Sequence, residues 1–228
     1  RQILICSILF LCVSAFAQEV NFEIPNGLKA SPGETVKLAV SMSNSIDIKG
    51  WQMELLLPEG VEIYKTTEID EYEDTYEKIH VEFLRSKNII VTDIQKTIRG
   101  GDQIVCAVKD GTKFGGTSGD VVHITLKVDE SAALGTSSIK FTKLGFSDKD
   151  DTSHEQEDFA IPFVIFETYS LSAASSNEVM GAATVIPSGL VENGTPVTAT
   201  ATPVAGYEFV NWTVGDNVKS TENPYTFT

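Results

Sequence analysis

Cysteine is nearly absent from this sequence of 228 residues, which contains only Cys6, Cys12 and Cys106. The first two lie in an apolar N-terminal run, so a chain cleaved after that run keeps Cys106 alone. One thiol excludes an internal disulfide framework and a cysteine-based zinc site. Because Cys106 lies within the apolar run 104–108, we expect a buried, unreactive thiol.

Basic residues are also scarce, with 17 against 32 acidic residues and a formal net charge of -15. Nucleic acids and anionic membrane surfaces bind basic patches, so both are excluded as partners. Three histidines (His80, His123 and His154) are scattered without the spacing of a zinc site. We therefore predict neither a metal nor a cofactor.

Long hydrophobic runs are absent except for Ile3 to Val13, which the small residues Ser14 and Ala15 follow. That run is too short to span a bilayer of about 30 Å. With Ala15 and Ala17 at the cleavage motif, residues 1–17 are typical of a secretory signal peptide, which predicts a secreted or cell-surface protein without membrane insertion after cleavage. The missing initial Met indicates that the N-terminus is clipped. Lipidation at Cys12 is the disfavoured alternative, since bulky Leu11 precedes it.

The sequence has no convincing amphipathic helix, and its apolar residues alternate with polar ones instead. Two such runs, Thr35–Met42 and Trp51–Leu57, flank a turn-prone segment. Residues 18–167 contain about nine such short runs separated by turns, which predicts an all-β sandwich. We interpret Glu68–Lys78 as a long loop, and Pro162 as a mark of an edge strand. The clearest runs are 20–24, 35–42, 51–57, 79–83, 89–94, 103–108, 122–128, 139–144 and 161–166.

A second module is predicted at residues 168–228, where Thr, Ala, Val and Gly dominate and basic residues are few. Its last residues, 225–228, have the pattern of a strand, so we expect this module to be incomplete and the natural protein to continue. Strand candidates are 169–173, 183–186, 197–202 and 208–214.

The first module resembles the cohesin domain, a nine-stranded jelly-roll sandwich. The resemblance is carried in order by A-S-P-G-E-T-V at 30–36, K-G-W-Q-M-E-L at 49–55, G-D-V-V-H-I-T-L-K-V at 119–128 and L-G-T at 134–136. The segment L-P-E-G at 57–60 departs from the family's usual Asp-Pro and is similar to divergent modules of secreted Bacteroidetes proteins. The resemblance implies non-catalytic binding of a dockerin-like protein domain through a flat sheet face.

The second module resembles the bacterial repeat related to internalin B-repeats. Its marks are V-E-N-G-T-P-V-T at 191–198, A-T-P-V-A-G-Y-E-F-V-N-W at 201–212 and E-N-P-Y-T-F at 222–227. The resemblance implies a small β-grasp-like unit that serves as a stalk or adhesive spacer.

Two sets of residues are candidates for the binding site. If the first module works as cohesins do, side chains that point away from the core would contact the protein partner, and on the Trp51 strand these are Gln52, Glu54 and Leu56. The alternative is binding of polysaccharide, for which loop aromatics such as Tyr72 and Tyr76 are the candidates. Trp51 alternates in phase with core residues, so we expect it and Trp212 to be buried anchors.

The remaining patterns are weaker. The acidic run Asp148–Asp158 suggests calcium, but the positions of a calcium loop are not met, and a solvated hairpin is the other interpretation. The segment Gly111–Gly119 has neither a phosphate-binding Lys nor the G-x-S-x-G form and predicts a flexible loop. No two acids are marked as a catalytic pair, so we expect no enzyme activity.

Overall fold

The computed structural model of the protein describes residues 20–85, 89–109 and 112–228. The regular elements of these residues are all β-strands, which confirms the all-β fold class. No helix in this part of the chain has the length and apolar character needed to cross a membrane. The chain divides into two compact units between Ile165 and Phe166. The predicted signal peptide, residues 1–17, lies outside the described residues.

The smaller sheet of the first unit has five strands in the order β1-β3-β11-β5, and β8 also pairs with β11. All its pairs are antiparallel, and β5 and β8 lie along the same edge of β11, beside Leu126–Val128 and Val122–Ile124. Its strands are β1 (Val20–Glu23), β3 (Thr35–Asn44), β5 (Val61–Ile63), β8 (Val81–Phe83) and β11 (Asp120–Val128).

The larger sheet has seven strands in the order β2-β14-β12-β4-β10-β9, with β13 paired to β12. Its pairs are antiparallel except for β2 and β14, which run parallel. Its strands are β2 (Leu28–Ala30), β4 (Ile48–Leu56), β9 (Ile89–Lys96), β10 (Asp102–Val108), β12 (Gly135–Asp148), β13 (Ser153–Glu155) and β14 (Phe159–Ile165).

One apolar cluster joins the two sheets, because alternate residues of each strand point between them. Trp51 is 2% exposed, and its ring stacks on Phe83 of the other sheet with centroids 6.0 Å apart. The prediction that Trp51 is a core residue is therefore confirmed. Cys106 is also buried, and burial raises the pKa of its thiol to about 12, as expected for an unreactive cysteine.

Arg85 holds the loop that contains Gly115 and Gly116 beside the end of β3. Its guanidinium donates hydrogen bonds to the carbonyl oxygens of Gly115, Gly116 and Met42 and to Oδ1 of Asn44, each at 2.7 Å. Burial lowers the pKa of Arg85. These bonds hold residues 115–116 beside the end of β3.

The interpretation of Glu68–Lys78 as a loop was wrong. Residues 65–79 form a two-stranded antiparallel ribbon, β6 (Lys65–Ile69) and β7 (Thr75–Ile79), which interrupts the edge between β5 and β8. Most residues of this ribbon face solvent on both sides. No apolar alternation marks such strands, which is why the sequence pattern missed them.

Pro162 does not mark an edge strand, because β14 pairs with β12 on one side and with β2 on the other. The β2 ladder begins at Phe163, the residue after Pro162. The missing N–H of Pro162 therefore costs that ladder no hydrogen bond.

The second unit contains seven short strands in the described residues. Sheet β16-β18-β21 and the pairs β15-β17 and β19-β20 are all antiparallel. The predicted strand 208–214 is shorter, beginning only at Trp212. The strands are β15 (Thr168–Leu171), β16 (Gly181–Ile186), β17 (Gly189–Glu192), β18 (Val197–Pro203), β19 (Trp212–Val214), β20 (Asn217–Ser220) and β21 (Tyr225–Phe227).

Trp212 is not the buried anchor that the sequence predicted. The buried cluster of the second unit is formed by Val185, Val191 and Val197, whereas Trp212 is half-buried. Its indole Nε1 donates to the carbonyl of Glu222 at 3.0 Å, and its ring packs on Phe209 with centroids 5.2 Å apart. Trp212 is also one of the residues that line an open groove of this unit.

We expect Gly145→Ala to disrupt the pairing of β12 with β13. An added Cβ would lie 2.4 Å from the carbonyl oxygen of His154, a backbone atom that cannot move aside alone. The free energy of unfolding should fall by about 1–3 kcal/mol, the usual cost of an overpacked site. Denaturation of the Trp212→Phe chain, in which Trp51 alone reports on the first unit, measures this change.

Gly115→Ala is the matched control for that variant. Its added Cβ would meet only the carbonyl oxygen of Arg85, at an ordinary distance of 3.5 Å. Equal stability of the two variants would contradict the close packing of β13 on β12.

Candidate functional site

The outer face of the larger sheet is the surface that turns away from the core on β4, β10 and β12. Its position follows from the alternation along β4, where Trp51, Met53 and Leu55 are buried between the sheets. Gln52, Glu54 and Leu56 therefore lie on the opposite side of the strand. The antiparallel register places Gln103 and Thr142 beside Glu54, and Lys140 beside Leu56.

Glu54 is not exposed as predicted, because its side chain is completely buried, at 0% exposure. Thr142 donates its hydroxyl to Oε2 of Glu54 at 2.9 Å, and Nζ of Lys143 lies 3.3 Å from the same oxygen. Lys143 occupies the irregular stretch of β12 between Thr142 and Gly145, with φ of 51°. Glu54 is thus an internal partner of β12 and cannot contact a binding partner from this position.

Ionised Glu54 is favoured by the donors around it. The hydroxyl of Thr97 contributes most to lowering its pKa below the ordinary value, and Thr142 and Lys143 add to this effect. Burial alone would raise the pKa, but these contacts outweigh it. Oε2 of the carboxylate therefore joins β4 to β12, whereas Oε1 faces Gly101 of the β9–β10 turn and has no hydrogen-bond partner.

The β9–β10 turn, residues 97–101, covers Glu54 because glycine lets its backbone approach closely. The turn is closed by hydrogen bonds from the amide of Thr97 to the carbonyl of Gly101, at 2.8 Å, and from the amide of Gly101 to Oγ1 of Thr97, at 3.1 Å. A Cβ on Gly101 would lie 2.9 Å from Leu56 and 3.0 Å from Glu54. Gly101 is therefore the position that permits the cover.

Gln52 and Leu56 remain accessible, since both are half-buried. On β10, Val105 lies beside Gln52, and Ala107 lies two residues further along; both are half-buried. The outer face therefore combines apolar and uncharged polar side chains, with charged Asp93 beside Val105 and Lys140 beside Leu56. Sequence reasoning missed the residues that the turn adds, Ile98 and Arg99. A Gly-Gly pair after them, between two strands, was the available signal for an exposed hairpin tip.

The two predicted sets of site residues lie on different sheets. Tyr72 and Tyr76, on the β6–β7 ribbon, are 78% and 47% exposed. The hydroxyl of Tyr76 donates to Glu68 at 2.9 Å, which raises the pKa of Tyr76, and Lys78 bonds the same carboxylate at 2.8 Å. The ring of Tyr76 and most of the Tyr72 side chain therefore remain accessible to a ligand.

A histidine on the outside of the smaller sheet bonds two carboxylates. His123 Nε2 lies 2.7 Å from Asp120 and Nδ1 lies 3.2 Å from Glu82. Ser41 donates its hydroxyl to Asp120 and not to His123, so the imidazole is not placed to accept a proton from Ser41. Ser41 and then His123 lower the pKa of Asp120. The cluster links β3, β8 and β11.

The acidic run 148–158 forms the β12–β13 hairpin and its continuation. Asp148 Oδ1 accepts the amides of Asp150 and Thr152, and Oδ2 lies 2.9 Å from His154, which contributes most to the lowered pKa of Asp148. Within the described ranges no three His, Cys, Asp or Glu side chains are grouped as metal ligands.

The second unit has an apolar groove of about 830 Å³. Its lining combines small residues of β16 and β18 with aromatic side chains. These lining residues include Gly181, Ala183, Ala199, Ala201, Phe209, Trp212, Tyr225 and Phe227.

We expect Glu54→Gln to destabilise the first unit in a pH-dependent way. Because the folded pKa of Glu54 is lowered, its ionised form stabilises the fold above the unfolded pKa of about 4.3. At pH 7 the loss should be about 1–2 kcal/mol, and it should shrink as the pH falls through the folded pKa. Urea denaturation of both proteins between pH 7 and pH 3 measures the difference.

Glu62→Gln, at an exposed carboxylate on β5, serves as the control and should change stability by less than about 0.5 kcal/mol. A loss for Glu54→Gln that is the same at every pH would show that the charge of Glu54 does not stabilise the fold.

Several solved structures are similar to this chain, and they are cohesin modules. CaCohA2 from Clostridium acetobutylicum is 13% identical, with a TM-score of 0.47 over 64% of this chain and 90% of that one. The seventh ScaB type I cohesin from Pseudobacteroides cellulosolvens is 17% identical, with a TM-score of 0.48 over 68% and 97%. The third ScaC cohesin from Acetivibrio cellulolyticus, solved in complex with the ScaB dockerin, is 13% identical, with a TM-score of 0.45 over 64% and 99%.

The C-terminal part of the chain matches a protein family. Residues 171–228 match the model described as a divergent InlB B-repeat domain. No curated protein matches the chain. The two families found, cohesins and InlB B-repeats, are the ones that the motifs of the two modules resemble.

Proposed function

We propose that this chain is an exported, non-catalytic binding protein whose first unit recognises a protein partner of the dockerin type. The observation that carries the proposal is the outer face of the larger sheet, where the described residues leave Gln52, Leu56, Val105 and Ala107 accessible on neighbouring strands. The cohesin-like motifs at 30–36, 49–55 and 119–128 support the same assignment.

The composition of this face suits a protein better than a glycan. Half-buried Val105, Ala107 and Leu56 provide apolar area, and Gln52 and Gln103 provide hydrogen-bonding groups between them. Protein interfaces combine an apolar centre with polar groups in this way. Described aromatic rings on β4 and β10 do not reach this face, since Trp51 points into the core. Sugar rings stack on flat aromatic side chains, which this face lacks in its described part.

The second unit is proposed as a spacer that holds the first unit away from its attachment. It is acidic, with one basic residue, Lys219, in residues 166–228. Like charges of this kind keep a small unit soluble and apart from anionic surfaces.

Adhesion to polysaccharide is the second candidate function. Tyr72, at 78% exposure, and Tyr76, at 47%, favour it, because the β6–β7 ribbon presents both rings to solvent. In this alternative the ribbon and not the outer face would make the contact. The two candidate functions therefore predict loss of binding in different variants.

We expect the full chain to bind at least one member of a panel of recombinant dockerin modules. Gln52→Arg should weaken that binding at least tenfold, because a long charged side chain would stand in the centre of the face. Isothermal titration calorimetry of both proteins against the panel measures the effect, and a glycan array is run in parallel.

Thr125→Arg is the matched control, since Thr125 is half-buried on the outside of the smaller sheet. It should leave dockerin binding unchanged. If the chain binds a polysaccharide but no dockerin, and Tyr72→Ala or Tyr76→Ala abolishes that binding, then adhesion to polysaccharide replaces recognition of a dockerin as the proposed function.

A further inference from the structure

The β9–β10 turn presents an aliphatic side chain with nothing around it. Among the described residues of the first unit, Ile98 is the large apolar side chain most exposed to solvent. Solvent-exposed aliphatic residues are common singly, but this one belongs to the turn whose Gly101 packs against half-buried Leu56 of the outer face. An exposed apolar side chain on a turn that borders a partly apolar sheet face is typical of an interface.

The turn is held in one conformation. Its backbone is closed by bonds between Thr97 and Gly101 and by a third, from the amide of Gly100 to the carbonyl of Thr97 at 2.9 Å. Glu54 lies beneath it, in contact range of the backbone at Gly101. A rigid turn loses little conformational entropy when a partner binds, so its exposed side chain can contribute most of its contact energy to binding.

Several cationic residues lie on the turn or on strands next to it, in a chain of net charge -15. Arg99 is in the turn, Lys96 ends β9, and Lys140 and Lys143 lie on β12. Two carboxylates of this region are already bonded, Asp102 to Lys96 at 2.8 Å and Glu54 to Lys143 at 3.3 Å. Among the described residues, neither Arg99 nor Lys140 has a carboxylate partner.

We infer that Ile98, Leu56, Arg99 and Lys140 form a docking surface for an acidic amphipathic segment of a partner protein. An apolar side chain of that segment would pack on Ile98 and Leu56, and its flanking carboxylates would face Arg99 and Lys140. Charge complementarity selects this occupant, because Arg99 and Lys140 have no carboxylate partner among the described residues, although the chain carries a net charge of -15. The inference rests on the proposed function, in that it gives the chemistry of the partner for one end of the outer face.

The test uses two synthetic peptides and the full chain. One peptide is amphipathic and contains only Leu, Ile, Asp and Glu; the other has Lys in place of Asp and Glu. We expect the acidic peptide to shift the NMR signals of Ile98, Arg99 and Leu56 saturably, and the lysine peptide to leave them unchanged. Raising the ionic strength should weaken binding of the acidic peptide, since its contacts are partly ionic.

Variants then separate the apolar contact from the charges. Ile98→Ala should weaken binding of the acidic peptide at least fivefold. The double variant Arg99→Glu with Lys140→Glu should bind the lysine peptide in preference to the acidic one. Ile69→Ala is the matched control, because Ile69 is also an exposed Ile on a hairpin of the first unit but stands on the acidic ribbon. It should leave binding unchanged.

Each outcome decides between the inference and the proposed function. Dockerin binding that Ile98→Ala and the charge reversals leave intact would overturn the inference and keep the proposed function. Acidic-peptide binding at this surface without any dockerin binding would keep the inference and overturn the dockerin assignment. Equal binding of both peptides, or of neither, would overturn the inference. Sedimentation of the chain alone completes the test, since a dimer lost in Ile98→Ala would assign the surface to a second copy and overturn it.

Discussion

Strand β4 has to satisfy two environments at once, and the rest of the first unit depends on how it does so. Its inward residues, with Trp51 at the centre, fill the space between the sheets and stack on Phe83 of the opposite sheet. Its outward residues include a carboxylate, which costs free energy to bury unless donors surround it. Thr142 and Lys143 are these donors for Oε2 of Glu54, while Oε1 lies against Gly101 without a hydrogen-bond partner.

Burying Glu54 in this way shapes the proposed binding surface. Glu54 bonds Lys143 in the irregular stretch of β12, and Gly101 of the β9–β10 turn packs against the same side chain, so the turn lies over the sheet with the cation of Lys143 nearby. The accessible surface therefore has two parts. One is the region around Gln52, with apolar and amide side chains, and the other is the turn that carries exposed Ile98 and Arg99. Glu54 acts through these neighbours and is a positioning residue.

Most of the fold could be predicted from the sequence because half-buried strands carry their own period. The runs at Thr35–Met42 and Trp51–Leu57 gave the correct inward residues, and the core position of Trp51 followed. The β6–β7 ribbon could not be predicted from this alternation, since both of its faces are exposed to solvent. The burial of Glu54 also could not be predicted, because alternation fixes which side a residue faces and not what covers that side. A neighbouring turn supplied the cover, and only Gly100-Gly101 hinted at its close approach.

Glu54 is an ionised anchor inside the outer face. An NMR titration of its side-chain carboxyl carbon in the full chain tests this most directly. We expect an apparent pKa of Glu54 below the ordinary value of about 4.3, with the amide signals of Thr97 and Gly101 moving at the same pH. A carboxyl that titrates at or above the ordinary value, without a response in the turn, would contradict it.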